Sequence, residues 1–211
     1  MTEYTPTVKN ILETARRLFN ILGTSKISTN HIAKDAGISP GNLYYHFKNK
    51  EEIIRALFCE MAEEYDPLWD SIIPDKDGFT AVVDLIYKGF GLSVEYRFLY
   101  LELAVLLKND PELRKIHDEI MKKRMDHLEK TMLASVETGI FIQKNDLSFI
   151  NTINSLFWLI NQFWFSFMEI TGEYLTVDIQ IEGTKFCISL LEPYLEPEVS
   201  EKLNNYVRKL S

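Results

Sequence analysis

The chain has 211 residues, 46% of them hydrophobic, a net charge of −8 and two cysteines. That length and apolar content suffice for a sizeable core in one or two domains, and the cysteines form no pair with the spacing of a thiolate metal site. The longest apolar run, 156–168, contains Asn161 and Gln162 and falls short of the roughly 20 residues that span a bilayer. The start, Met-Thr-Glu-Tyr-Thr-Pro, has neither the basic residues nor the apolar run of a secretory signal, so a soluble cytoplasmic protein without a membrane partner is expected.

Thr5 followed by Pro6 reads as a helix start: the hydroxyl caps an unpaired N–H, and the proline sits at the first helical position, where its missing N–H costs nothing. Val8, Ile11, Leu12, Ala15, Leu18, Phe19 and Leu22 then recur at steps of three and four up to Gly23, as in an amphipathic helix. Ser28 is the next N-cap. Ile32, Ala33 and Ala36 fall on one face of a short helix that Gly37 stops, and Ile38 anchors the turn. Ser39-Pro40 repeats the cap-plus-proline start. In the helix that follows, Leu43 and Phe47 point inward, which turns Gly41, Asn42, Tyr44, Tyr45 and His46 partly or wholly outward. The first helix has only these two short helices to cover its apolar stripe, so the three form one small core.

An exposed pair of tyrosines needs a reason. Two short helices joined by a glycine turn, the second with polar, aromatic and cationic side chains outward, suit the major groove of DNA. Gly41 permits close approach of another backbone, and Asn42 can bond base edges or phosphate. Tyr44 and Tyr45 offer ring and hydroxyl contacts, and His46 and Lys50 can reach phosphate oxygens. Asn49 and Glu52 have the spacing of a reciprocal capping box, which puts Lys50 in a first turn whose free N–H groups can share a phosphate with its ammonium. Residues 1–58 hold eight cations and five anions, a net of +3, so the remainder carries −11. A local basic region on an acidic body is compatible with nucleic acid.

From Asn49, Ile53, Ile54, Leu57, Phe58 and Met61 keep helical spacing to about Asp66-Pro67. Helices are predicted at about 79–93 and 96–108, and a long one opens at Asp110-Pro111 and stops at Gly139. On it, Lys122, Lys123 and Arg124 read as a solvated face paired with Asp118, Glu119 and Asp126. A further long helix starts at Asp146 and is apolar on every face from Phe149 to Ile170, so one side must meet its own chain and the other a partner. The following helix, from Val177 to Leu191, adds a second apolar strip, and the last runs over 197–210. A homodimer held by a four-helix contact follows, with Phe157, Trp164, Phe186 and Leu190 as candidate interface residues.

The histidines, His31, His46, His117 and His127, show no HExxH or similar spacing, and no GxSxG, Walker-type loop or GxGxxG occurs. Neither a metal, a cofactor nor an enzymatic activity is expected. Phe90, Tyr96, Tyr100, Leu103, Trp158 and Phe165, with Leu106 and Tyr174, could surround an apolar cavity suited to an apolar or aromatic molecule or an acyl chain.

The run Ile-Ala-x-x-Ala-Gly-Ile-Ser-x-Gly-x-Leu-Tyr-x-His-Phe-x-x-Lys-Glu-Glu, from Ile32 to Glu52, together with the helix before it, resembles the DNA-binding signature of TetR-type bacterial transcriptional regulators. The resemblance implies an all-α protein: a three-helix helix-turn-helix head, taken as 1–48, and a larger helical body, 49–211, that binds a small ligand and dimerises through its last long helices. It puts Ser28, Gly41, Asn42, Tyr44, Tyr45, His46 and Lys50 where the family meets DNA. Ser39 and Pro40 join them at the start of the exposed helix, although position 40 varies within the family. No ligand residue is carried over. The expected function is a sequence-specific repressor that binds a palindromic double-stranded operator as a homodimer and is released by a small apolar or aromatic effector. A constitutive DNA-binding dimer without an effector is the alternative.

Overall fold

The apolar periodicities become ten α-helices in the computed structural model, which describes residues 4–72, 78–141, 147–172 and 178–210. Among these residues no strand occurs, only an isolated bridge between Phe141 and Leu195. In chain order the helices are α1 Pro6–Leu22, α2 Thr29–Asp35, α3 Pro40–His46, α4 Lys50–Asp70 and α5 Ala81–Glu95. They continue as α6 Arg97–Asn109, α7 Pro111–Glu137, α8 Leu147–Thr171, α9 Ile179–Leu191 and α10 Pro197–Lys209. The starts expected at Asp146 and Val177 lie outside the described residues, as does Tyr174.

One boundary differs from expectation. Helix α4 does not stop before Pro67 but carries it inside and continues to Asp70. A proline there removes one backbone bond; the last turn is nonetheless held by Trp69, whose ring lies 6.0 Å from Tyr65 and 5.8 Å from His127.

The described residues form two compact units, one comprising those up to Glu64 with Tyr96–Ile116, the other Tyr65–Glu95 with those from His117 on. The first is therefore larger than the segment 1–48 marked out by the sequence, because α6 and the start of α7 belong with α1–α4. Phe19 of α1 meets Phe98 of α6 with ring centroids 5.2 Å apart, and Asn20 Oδ1 accepts from the Phe98 N–H at 3.1 Å. Asp110 caps α7 through bonds from the Glu112 and Leu113 N–H groups, and its other oxygen accepts from Arg55 of α4 at 2.7 Å. In the centre of this unit Ile11, Leu12, Ala15, Phe19, Ile32, Ala33 and Leu43 are fully buried.

In the second unit α5 lies along α9, and Phe79, Val83, Phe90, Ile150, Ile153, Ile188, Leu191 and Leu203 belong to one apolar cluster. Lys123 bonds Asp66 at 3.0 Å and the Arg124 guanidinium lies 4.9 Å over the Tyr65 ring, so both cations reach α4. The ring of Tyr65 offers a cation–π surface that a solvated i,i+4 partner would not.

Leu43 is the main inward anchor of α3, and the cavity left by Leu43→Ala is expected to cost ~2–5 kcal/mol. Urea unfolding measures it, and a loss below about 1 kcal/mol would show that α3 is held by something else.

Candidate nucleic-acid interface

Local bonds fix α2 and α3 in place. The Ser28 hydroxyl accepts from the His31 N–H and His31 Nδ1 accepts from the Ser28 N–H, each at 3.3 Å, a reciprocal box with histidine in the position usually filled by Glu or Gln. At the other end of α2, the Gly37 N–H reaches the Lys34 carbonyl and the Ile38 N–H reaches that of Ala33. Gly37 sits at φ 69°, the left-handed conformation this closure demands. Asn10 of α1 donates to the Ala36 carbonyl at 2.9 Å and so holds the same turn. Ser39 then caps α3 by accepting from the Asn42 N–H at 3.2 Å, with Pro40 next.

The result is a helix with two unlike faces. Leu43 is fully buried and Phe47 nearly so, while Ser39, Pro40, Gly41, Asn42, Tyr44 and Tyr45 are exposed and His46 is half-buried. Tyr45 is 83% exposed, its ring edge-on to His46 at 5.0 Å. Tyr44 rests its hydroxyl 3.0 Å from Thr29 Oγ1, which sets the ring against α2. At Gly41 a Cβ would meet only Ser39 Oγ, 3.9 Å away, so nothing inside the chain demands a glycine there. The space beside this position is open.

Beside this face Ser25, Lys26, Ile27, Ser28, Thr29, Tyr44, Lys48, Asn49 and Lys50 line a concavity of about 370 Å³. Three ammonium groups, four hydroxyls and no carboxylate line it, a donor set that suits an anion and repels a cation. Ser28, Tyr44 and Lys50 were marked by the sequence; Ser25, Lys26, Thr29 and Lys48 were missed. Their only sequence signal was the basic excess of the first 58 residues, because the two stretches that meet here are separated by α2 and α3. The Asn49 side chain accepts from the Glu52 N–H at 2.9 Å as expected, but Glu52 reaches back to the Lys48 N–H, at 2.7 Å, rather than that of Asn49. The capping box closes one residue earlier than predicted. The Lys50 ammonium donates to the Thr24 carbonyl at 2.7 Å, which occupies one of its three donors and leaves two.

The candidate ligand residues divide between the units. Tyr96, Tyr100 and Leu103 belong to the first, and Phe90, Trp158 and Phe165 to the second. Tyr96 is fully buried; its hydroxyl donates to Glu64 at 2.6 Å and its ring carries the Arg16 guanidinium at 4.9 Å. Burial and then the bond to Glu64 push its phenol well above the usual range. Phe90 is also fully buried, with Gly183 so close that a Cβ there would lie 2.6 Å from its ring. Phe165 and Tyr100 are buried, and Leu103 and Trp158 half-buried.

On α8, Leu159, Phe163, Phe167 and Ile170 form an exposed stripe at steps of four, four and three. Trp164 lies beside it, its ring 5.8 Å from Phe167 and 5.4 Å from Phe186 of α9, which is itself half exposed. Phe157 and Leu190 are half-buried, and Phe157 packs against the core of the unit. Among the described residues no group of three His, Cys, Asp or Glu is placed to hold a metal ion, and no helix is long and apolar enough to cross a membrane. Burial pushes the Cys187 thiol up to about 12.

Two family profiles match. One, described as bacterial regulatory proteins of the tetR family, covers residues 11–57; the other, described as bacterial transcriptional repressor, covers residues 60–203. A fatty acid metabolism regulator protein of Bacillus subtilis (strain 168) is 26% identical over 141 residues, 66% of this chain and 73% of that protein. The HTH-type transcriptional regulator UidR of Escherichia coli (strain K12) is 42% identical over 62 residues, 29% of this chain, so that the match spans only 32% of UidR. A crystal structure of a TetR-family transcriptional regulator from Marinobacter aquaeolei VT8 superposes with a TM-score of 0.82 at 29% identity, covering 97% of this chain and 98% of that one.

The open space at position 41 has a measurable consequence. Gly41→Ala is expected to leave stability unchanged or raise it by up to about 1 kcal/mol, since alanine is the better helix former, while lowering affinity for duplex DNA. Unfolding midpoints and duplex titrations check both parts; a variant that binds as well as the parent shows that no backbone approaches there.

Proposed function

The chain belongs to the TetR family of bacterial transcriptional regulators, as a DNA-binding repressor and not an enzyme, and from that premise we propose how it binds its operator, pairs with a second copy and is released. Helix α3 enters the major groove with Pro40, Gly41, Asn42, Tyr44, Tyr45 and His46 toward base edges and sugar–phosphate, and Ser39 starts that helix at the groove. Ser28 and Lys50, in the acid-free concavity beside it, take a backbone phosphate. Residues 1–48 supply the DNA-binding domain and 49–211 the regulatory one. The observation that carries this reading is the exposure of Tyr45 on a helix whose opposite side chain, Leu43, is wholly buried. A tyrosine held in water on a rigid, capped helix has no role in packing and is placed for recognition.

The protein acts as a homodimer in the cytoplasm. The exposed stripe of Leu159, Phe163 and Phe167, with Trp164 and Phe186 beside it and Phe157 and Leu190 at its margin, supports a two-fold contact, because so large an apolar patch is costly in water. Two recognition helices about 34–36 Å apart then read a palindromic site. A small apolar or aromatic effector, seated in the second unit near Phe90, Trp158 and Phe165, favours a state that binds DNA less well. Its power is limited to its difference in affinity between the two states. The apolar lining supports this class, as does the name of the Bacillus subtilis relative, a fatty acid metabolism regulator. The full burial of Phe90 favours the second reading, a constitutive dimer, in which that region is packing alone.

Tyr45→Ala should lower duplex affinity at least about ten-fold, or 1.4 kcal/mol, with the unfolding midpoint unmoved. Undiminished affinity would remove α3 from the interface. Phe163→Glu, which alters a side chain more than half exposed and so spares the core, should convert the dimer to monomer in sedimentation experiments. A dimer that persists would place the contact elsewhere.

A further inference from the structure

Helix α6 carries a carboxylate, that of Glu102, which is one residue removed from a proposed phosphate contact. Glu102 accepts from the Thr24 N–H at 3.1 Å and also from the Thr24 hydroxyl, so a single acidic group holds both donors of that residue. Thr24 opens the 3-10 turn Thr24–Lys26 between α1 and α2 and is buried, although it connects two exposed stretches. Gly23 makes the arrangement possible twice over. Its φ of 79° is costly for any side chain, and a Cβ on it would sit only 3.0 Å from Glu102 Oε1. The remaining polar group of Thr24, its carbonyl, accepts from the Lys50 ammonium at 2.7 Å.

These bonds form one chain, from the Glu102 carboxylate through the donors of Thr24 and its carbonyl to Lys50 Nζ. All its members lie in the first unit. A lysine ammonium on a four-carbon stem samples many positions in water, and holding it costs side-chain entropy. A carbonyl fixed on both sides of its residue meets part of that cost before any ligand arrives. It leaves two of the three ammonium hydrogens for a phosphate in the concavity that Lys50 lines with Lys26 and Lys48.

We propose that Glu102 is a positioning residue for DNA binding, which fixes Thr24 and thereby aims the Lys50 ammonium at a phosphate of the operator. The assignment rests on the proposed phosphate contact of Lys50 and adds to it a residue of α6, 78 positions away from Thr24. A negative charge behind a DNA-binding surface would ordinarily weaken binding. Here its removal is expected to weaken binding, which is the opposite of what net charge alone dictates.

The test is a double-mutant cycle on the dimer with an operator duplex selected by the wild-type protein, in which affinity is measured against salt concentration. Lys50→Ala should lower affinity and reduce the slope of log K against log salt by about 0.9 for each half-site. Glu102→Ala should reproduce a substantial part of that loss and of the slope change. In the Lys50→Ala background it should change nothing further. Glu102→Gln, which keeps an acceptor for Thr24, should restore most of the affinity. Should Glu102→Ala prove unfolded by circular dichroism, Thr24→Val removes only the hydroxyl bond and is read in the same cycle, with a loss expected only when Lys50 is present. Losses from Glu102→Ala or Thr24→Val that multiply with that of Lys50→Ala, or a folded Glu102→Ala that binds like the parent, overturn the positioning role. An unchanged slope in Lys50→Ala overturns the phosphate contact itself, and this role with it.

Discussion

The structure depends first on the burial of one side of a very short helix. Helix α3 has seven residues, below the length at which a helix persists alone in water, so its existence and its direction are tertiary facts. Leu43 supplies the anchor, fully enclosed in the unit that also buries Phe19 and Ile32. Ser39 and Pro40 set where the helix begins, and the Gly37 closure sets the angle at which the chain enters it. Of the outward residues, Ser39 caps the helix and Tyr44 bonds Thr29, while Tyr45 is displayed 83% exposed. The side proposed to meet DNA and the side that is buried thus lie opposite each other on the same two turns.

Charge is arranged on the same principle of locality. The whole chain carries −8, yet its first 58 residues carry +3, and the concavity beside α3 has three lysines and no acid in its lining. What a phosphate meets is set within about one Debye length, ~8–10 Å, so an acidic remainder beyond that distance weakly opposes binding at physiological salt. Glu102, which lies outside those 58 residues, commits its oxygens to the Thr24 donors.

What could be read in the sequence was what is decided within a few residues. The caps at Thr5, Ser28, Ser39 and Asp110 and the stop at Gly37 all stand where the pattern put them, because each depends on a side chain and backbone groups two to five positions apart. The periodicity of α1 likewise marked Val8, Ile11, Leu12, Ala15 and Phe19 of its buried face, while Leu22, on the same stripe, is 45% exposed. Less visible was anything joining distant segments. That α6 belongs with the head rests on Phe19 with Phe98, Arg55 with Asp110 and Glu102 with Thr24, and no periodicity announces such pairs. Proline at 67 was read by its local cost, and the structure outweighs that cost with the packing of Trp69 on Tyr65 and His127. The apolar character of α8 was plain from its composition, but which of its sides would be left exposed depended on how α9 and the core cluster lie against it, so Leu159 and Phe167 emerged only from the fold.

The most direct measurement of the central claim, that the outer side of α3 reads a duplex, is the selection of bound sequences from a random duplex pool followed by alignment of the enriched set. A pair of inverted half-sites, centred one helical turn or a multiple of it apart, is the predicted result. A pool that shows no enrichment over its starting composition, with binding that depends on salt alone, would contradict it.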